Sequence, residues 1–416
     1  MKIIRKTTPN NKSKEVVIPG EQVDFDDLQA AAEGPIKKFN AIMEFANKVI
    51  VGRNVEIELI MLAILTKQHV MLCGQHGIAK SLLATTIFDC FTDATTFKIQ
   101  LMKSTQTDQV FGPLNMTRYQ KDAVWEHNTE GHLPRAHFAF LDEFYRAADM
   151  VLPSMMSLLN ERVFYNGATP HNCPLVTAIG TTNLVTESAE LDAVHDRFLF
   201  WAHMNPLDSN SRLEMLNSQA SYEEVERPDS MSLHELSLIQ EGLKAVTIDQ
   251  DVVQCLSSLH TSFVNKAAKG SRYISDRRVV QTLSLLRAAA FLQGEREVDS
   301  SILASAEKVW LGIGRYEAEE SVHFASALDE SVKVDLEDKE ELKMWRVYET
   351  RVNALVVKVD KNTTPAQAKQ LLAKINDCIK TMTTVSEKPS TATALGIYNK
   401  CSDHLHQSAS FLEAKL

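Results

Sequence analysis

Gly74-Gln75-His76-Gly77-Ile78-Ala79-Lys80-Ser81 follows a short apolar run, His69–Cys73, and opens a stretch with helical spacing, Ser81–Phe91. A strand, a tight turn and a helix in that order aim backbone N–H groups and the positive end of the helix dipole into the turn. Phosphate oxygens suit such a cradle, which here runs from Gly74 to Ser81 with Leu82 behind it. Lys80 would reach the β and γ phosphates of a nucleotide, and the Ser81 hydroxyl would ligate Mg²⁺, a hard cation that prefers oxygen. Ala79 stands where a glycine is expected before the lysine, so a methyl group intrudes slightly on the backbone's approach to a ligand. A strand–turn–helix corner with an incidental Lys-Ser pair is the bland alternative.

About 60 residues on, Phe138-Ala139-Phe140-Leu141-Asp142-Glu143 is an apolar run closed by two carboxylates. Acids at the carboxyl end of a buried parallel strand face the crevice where ligands bind. Asp142 would hold Mg²⁺ through water, and Glu143 would polarise an attacking water as a general base. The order of phosphate loop and acidic pair makes hydrolysis of a nucleoside triphosphate the leading reading, with ATP and Mg²⁺ as its cofactors. Asn183, at the end of the next apolar run, could orient the lytic water or sense the γ-phosphate; a turn residue is its plain alternative. Arg197, just before Phe198–Trp201, reads as an arginine finger aimed at a neighbour's γ-phosphate, against surface salt-bridging. In Ser275-Asp276-Arg277-Arg278, at the start of a long helix, Arg277 could contact nucleotide as a second sensor, although Arg278 is adjacent and helix-start arginines are usually structural.

These residues need a frame to hold them. Apolar spacing predicts two helices between Ile36 and Leu65, joined near Val51-Gly52-Arg53. Short apolar runs at His69–Cys73, Thr95–Gln100, His137–Leu141 and Leu175–Thr181 alternate with helical stretches, the pattern of a parallel α/β sheet. Gly112–His127 and Val163–Pro174, the latter with Asn166-Gly167 at its turn, read as hairpins projecting from that core. From Ser209 onward the chain reads as helical, ending in Leu336–Val359, Ala366–Val385 and Ala392–Leu416. The expected organisation is a flexible arm over 1–35, an α/β nucleotide-binding domain over 36–206, an α-helical lid over 207–314 and a C-terminal helical domain over 315–416.

A formal net charge of −10 argues against nonspecific coating of nucleic acid, which rests on Lys and Arg neutralising phosphates. The six cysteines have no CxxC spacing and the histidines no metal-binding spacing, so zinc and dithiol chemistry have little support. His76 reads as a loop residue near solvent. No apolar segment follows the basic start, and no run approaches the ~20 apolar residues of a membrane span, so a cytoplasmic protein away from membranes is expected.

Taken together, the chain resembles the MoxR family of AAA+ ATPases, most closely its RavA branch. The resemblance rests on Gly77-Ile78-Ala79-Lys80-Ser81-Leu82, Val110-Phe111-Gly112-Pro113-Leu114, Gly131-His132-Leu133-Pro134, Phe140-Leu141-Asp142-Glu143, Leu158-Leu159-Asn160-Glu161-Arg162, Asp196-Arg197 and Ile274-Ser275-Asp276-Arg277-Arg278, and covers about residues 36 to 310. It implies an ATP-driven homo-oligomeric ring, usually a hexamer, that remodels a protein client, a von Willebrand factor A-type protein among the clients the family suggests. It also implies that alanine at position 79 is ordinary for a RavA-like loop, and that Gly112–His127 and Val163–Pro174 are the family's helix-2 insert and pre-sensor hairpin. The small β-rich docking module of RavA-like proteins has no counterpart in Val332–Leu416, so their partner is not carried over. A nucleic-acid motor or loader is one alternative; Arg118 and Lys121 at the insert tip are offset by Asp122 and Glu126. A nucleotide-gated scaffold with negligible turnover is the other, and the intact Asp142-Glu143 pair speaks against it.

Overall fold

The computed structural model describes residues 24–148, 150–183, 195–221, 225–266, 274–313, 319–331, 365–384 and 392–413, with positions 345, 352, 355, 356 and 359. Two compact units emerge: residues 1–248 with 274–317, and residues 249–273 with 318–416.

The first unit is built on a five-stranded parallel sheet. Its strands are β1 (Val70–Gly74), β3 (Thr96–Gln100), β4 (Phe138–Asp142), β7 (Thr177–Thr182) and β8 (Phe200–Met204), in the order β3-β4-β7-β1-β8. Strands buried on both faces read as unbroken apolar runs; β7 is buried at every position and β1 at all but its last. The first four strands match the expected runs. The fifth, β8, arises from the stretch read only as an apolar run after Arg197.

Helix α1 spans Phe25–Val49 and α2 spans Asn54–Thr66. The flexible arm expected up to residue 35 is therefore corrected: the helix starts at Phe25. Gly34-Pro35 reads as a stop signal, since proline forfeits a helical N–H. Here burial wins, because Phe25 and Ala32 are both buried and the Phe25 ring meets Phe291 edge-on at 5.8 Å. Helix α2 is apolar nearly all round, as a helix enclosed by its neighbours must be.

Two projections leave the sheet. The hairpin β5 (Val163–Asn166) and β6 (Thr169–Asn172) turns at Gly167, which has φ +63°. The insert is not a plain hairpin, because a short helix, Met116–Asp122, sits between arms bridged at Leu114 and His127. Seven residues are too few to show helical periodicity in sequence. The Asn166 side chain ties the two projections together: its Oδ1 accepts from His127 N at 2.6 Å and its Nδ2 donates to His127 O at 3.0 Å. Phe111 stacks on Phe164 beneath them, with centroids 5.1 Å apart.

The region expected to be wholly helical after Ser209 also contains two-residue strands, β9 (Met231–Ser232), which pairs with β2 (Phe91–Thr92), and β10 (Thr247–Ile248), which pairs with β11 (Glu297–Val298), besides a long helix over Asp276–Leu292. In the second unit, the helix Gln250–Lys266 places Phe263 edge-on to Phe324. Helices Pro365–Thr384 and Ala392–Glu413 share a core with Trp345 and Val352 through Ala368, Ile375, Leu405 and Leu412. Most of the expected helix Leu336–Val359 lies outside the described residues. Among those described, no helix is long and apolar enough to cross a membrane.

Candidate functional site at the two ends of the sheet

The carboxyl end of the sheet gathers the phosphate loop, the acidic pair and Asn183. Lys80 opens helix α3 (Lys80–Phe88), and the residue before it, Ala79, has φ +69°. Gly77 has φ +81° with open space where a Cβ would stand, and Ile78 and Ala79 join it to the N-terminus of α3. Gly74 allows a close approach: a Cβ there would lie 2.6 Å from Met204 O. The loop thus presents bare backbone where phosphate oxygens would sit.

The Lys80 ammonium donates to Gly74 O at 2.5 Å and approaches Gln75 O and Thr182 O at 3.4 Å each. Burial pulls it below the ordinary lysine value, and the nearby Asp142 and Glu143 carboxylates pull the other way. A buried ammonium held only by carbonyls retains a strong demand for an anion. Neighbouring Cys73 is inert, its thiol pushed up to about 12 by burial.

Asp142 ends β4. The register places Leu141 beside Gly180 of β7, and so Asp142 beside Thr181. The Thr181 hydroxyl donates to Asp142 Oδ1 and accepts from Glu143 N at 3.2 Å, so one hydroxyl fixes both acids. Glu143 is 3% exposed and adopts φ +54°, a left-handed conformation that non-glycine residues rarely hold. Its Oε1 lies 3.6 Å from His76 Nδ1 and its Oε2 3.3 Å from Arg146 Nε. Asn183 Nδ2 lies 2.9 Å from His76 Nε2. The hydroxyl of Ser81, in the first turn of α3, and the carboxylate of Asp142 are hard oxygen donors of the kind Mg²⁺ takes, so the residues present fit that ion.

Arg197 and Arg277 lie elsewhere. Both line a cavity of about 420 Å³ at the amino end of the sheet, with Lys67, Gln68 and His69 from the approach to β1 and Leu175 and Val176 from the approach to β7. Arg162 completes a set of four cations in this lining, which holds no carboxylate among the described residues. Since β1 and β7 run parallel, this cavity and the phosphate loop occupy opposite ends of the same strands. At about 3.3 Å per residue, a five-residue strand separates them by roughly 15 Å. Neither arginine shares the phosphate loop of its own chain.

The neighbouring Arg278 is fully buried. It donates to the carbonyls of Leu199 at 2.5 Å, Val309 and Phe198 at 2.9 Å and His195 at 3.0 Å. Burial lowers it to about 10, with Asp196 pulling upward. Its guanidinium is spent on holding the segment that carries Arg197, whereas Arg277 faces the cavity. Arg162 is similarly committed, donating to Leu175 O at 2.9 Å and Lys67 O at 2.8 Å. Beside it, His69 accepts the Ala178 N–H at Nδ1 at 2.9 Å, which leaves the hydrogen on Nε2, where Leu159 O and Arg162 Nη1 both lie at 2.8 Å.

Three residues at the acidic end escape a reading of sequence alone: Thr181, Arg146 and the partnership of His76. A hydroxyl at the end of one apolar run and an arginine three residues past the acidic pair are the only signals, and both are weak.

Residues 37–241 match the family model described as the MoxR domain in the MoxR-vWA-beta-propeller ternary systems, and residues 251–306 match an AAA lid domain. Two uncharacterized proteins of Methanocaldococcus jannaschii are 31% and 30% identical, each over 63% of this chain and over 67% and 68% of their own lengths. The chaperone MoxR1 of Mycobacterium tuberculosis is 30% identical over 38% of this chain and 42% of its own. A crystal structure of a proposed ATPase from Cytophaga hutchinsonii shares the fold, with a TM-score of 0.59 at 18% identity over 74% of this chain and 97% of the other. These matches do not single out the RavA branch. With both family models matched in sequence order, the chain belongs to the MoxR family of AAA+ ATPases.

Proposed function

We propose that this chain hydrolyses ATP in a ring of its own copies, a hexamer by family resemblance, and spends the energy on remodelling a protein partner. The carrying observation is the division of charge between the ends of one sheet: acids, lysine and phosphate loop at one, Arg197 and Arg277 at the other. Phosphoryl transfer to water is mostly positioning and charge stabilisation. Lys80 would neutralise the β and γ phosphates, Glu143 would take the proton of the attacking water, and Asn183 would orient that water. Ser81 and Asp142 would hold Mg²⁺, whose contribution when bound is to offset phosphate charge. Arg197 and Arg277 would serve the phosphates of the adjacent copy, since they lie at the far end of their own strands.

A von Willebrand factor A-type protein is the partner class supported by the description of the matching family model. The helices between 365 and 413 would select that partner, because they lie beyond both family matches. The test has two readouts on full-length protein. Phosphate release should require Mg²⁺ and vanish in Glu143→Gln. The same variant, loaded with ATP, should retain a purified von Willebrand factor A-type protein from the same source and release it with ADP. Absence of Mg²⁺-dependent phosphate release from wild type would refute the enzymatic reading, and equal release by Glu143→Gln the role given to that residue; equal retention in both nucleotide states would refute the remodelling one.

A further inference from the structure

A phosphate loop works through its backbone, so the side chain of His76 is not required for the cradle. It is 71% exposed and is not needed for packing. Yet each ring nitrogen addresses a group assigned to the lytic water. Nε2 lies 2.9 Å from Asn183 Nδ2, and Nδ1 lies 3.6 Å from Glu143 Oε1. A carboxamide nitrogen only donates, so Nε2 is the accepting nitrogen and Nδ1 carries the hydrogen that faces the carboxylate. One imidazole on the loop after β1 thereby joins the ends of β4 and β7.

We propose that His76 is a positioning residue for hydrolysis, coupling Asn183 to Glu143. A carboxamide can turn by half a rotation and exchange its donor and acceptor. By accepting one N–H, His76 fixes the direction of the other N–H and of the oxygen. At Glu143, 3.6 Å is too long for a hydrogen bond, so the contact orients Oε1 electrostatically and leaves its lone pairs for water. Arg146, 3.3 Å from Oε2, holds the other side of the carboxylate. Any rearrangement of the phosphate loop that moves His76 is therefore felt by both groups at once.

This inference rests on the ATPase reading, and a double-mutant cycle on the full chain tests it separately. Turnover and ATP affinity are measured for wild type, His76→Ala, Asn183→Ala and the double variant. His76→Ala should lower kcat roughly tenfold, within the range for residues in contact, with the Kd for ATP unchanged within about twofold. In the Asn183→Ala background, where only the contact with Glu143 remains, His76→Ala should slow turnover by clearly less than the tenfold seen in wild type. Paired with Arg197→Ala, in contrast, His76→Ala should multiply its effect. An unchanged kcat, a loss of ATP affinity matching the loss of rate, or effects that multiply with Asn183→Ala would overturn the proposal. No ATP turnover by the wild type would overturn the ATPase reading and this inference with it.

Discussion

At the carboxyl end of the sheet, opposite charges face each other. Glu143 lies between His76 and Arg146, Asp142 is held by Thr181, and Lys80 sits among carbonyls under the pull of both acids. At the amino end, four cations line one cavity without an acid among the described residues, and Arg162 and Arg278 are satisfied by carbonyl oxygens alone or nearly so. The first arrangement can bind and orient a phosphate chain. The second offers positive charge to an anion that enters the cavity. The contrast separates two kinds of site on one sheet, and in the proposed ring each would face a different neighbour.

The sharpest way to break the first half is at Lys80. Lys80→Ala should abolish ATP binding, whereas Glu143→Gln should bind ATP and fail to cleave it. Equilibrium binding of a fluorescent ATP analogue separates the two, and equal loss of affinity would remove the base role from Glu143. Next in size is the second half. Arg197→Ala should leave ATP affinity nearly intact and reduce turnover by roughly 10³-fold, the scale of arginine-finger effects. A fall in ATP affinity as large as the fall in rate would place Arg197 at its own chain's nucleotide.

Two smaller effects probe how the amino end is built. Arg278→Ala should destabilise its unit by about 3 kcal/mol, because it strands several buried carbonyls and Asp196 at once. Thermal unfolding measures this, and Arg277→Ala should leave the same transition within about 0.5 kcal/mol of wild type. Acid provides the other probe. His69 is buried and neutral, its pKa pulled well below the ordinary histidine value by burial and then by Arg162. As pH falls below about 6.5, the unfolded chain takes up a proton that the folded one refuses. Its contribution should therefore be lost with falling pH, at about 1.4 kcal/mol per pH unit. Chemical denaturation between pH 7.5 and 5.5 should show a shallower loss in His69→Gln than in wild type.

Much of the carboxyl end is legible in sequence because its signals are local. A lysine-serine pair opening a helix and two acids closing an apolar run announce themselves within a few residues. Thr181 does not, because its role depends on β4 and β7 lying in a register that sets it beside Asp142. The pairing of His76 with Asn183 spans 107 residues and fails for the same reason. Ala79 shows a subtler gap: sequence reasoning weighs its methyl group against a ligand, while the backbone is left-handed there, at φ +69°. Arg277 and Arg278 are indistinguishable by spacing, and only the packing of their helix turns one into carbonyls and the other toward the cavity. The start of the first helix is hidden by Gly34-Pro35, a local stop overridden by the burial of Phe25.

The central claim is that neither half works without the other, and mixing subunits tests it most directly. Arg197→Ala subunits keep Lys80 and Glu143; Glu143→Gln subunits keep Arg197. After subunit exchange has been demonstrated, for instance by energy transfer between differently labelled subunits, mixtures should hydrolyse ATP faster than either variant alone. The gain should pass through a maximum at an intermediate ratio, where intact acidic ends most often meet intact arginine ends. Turnover that never exceeds the weighted sum of the two variants, at any ratio, would contradict the account.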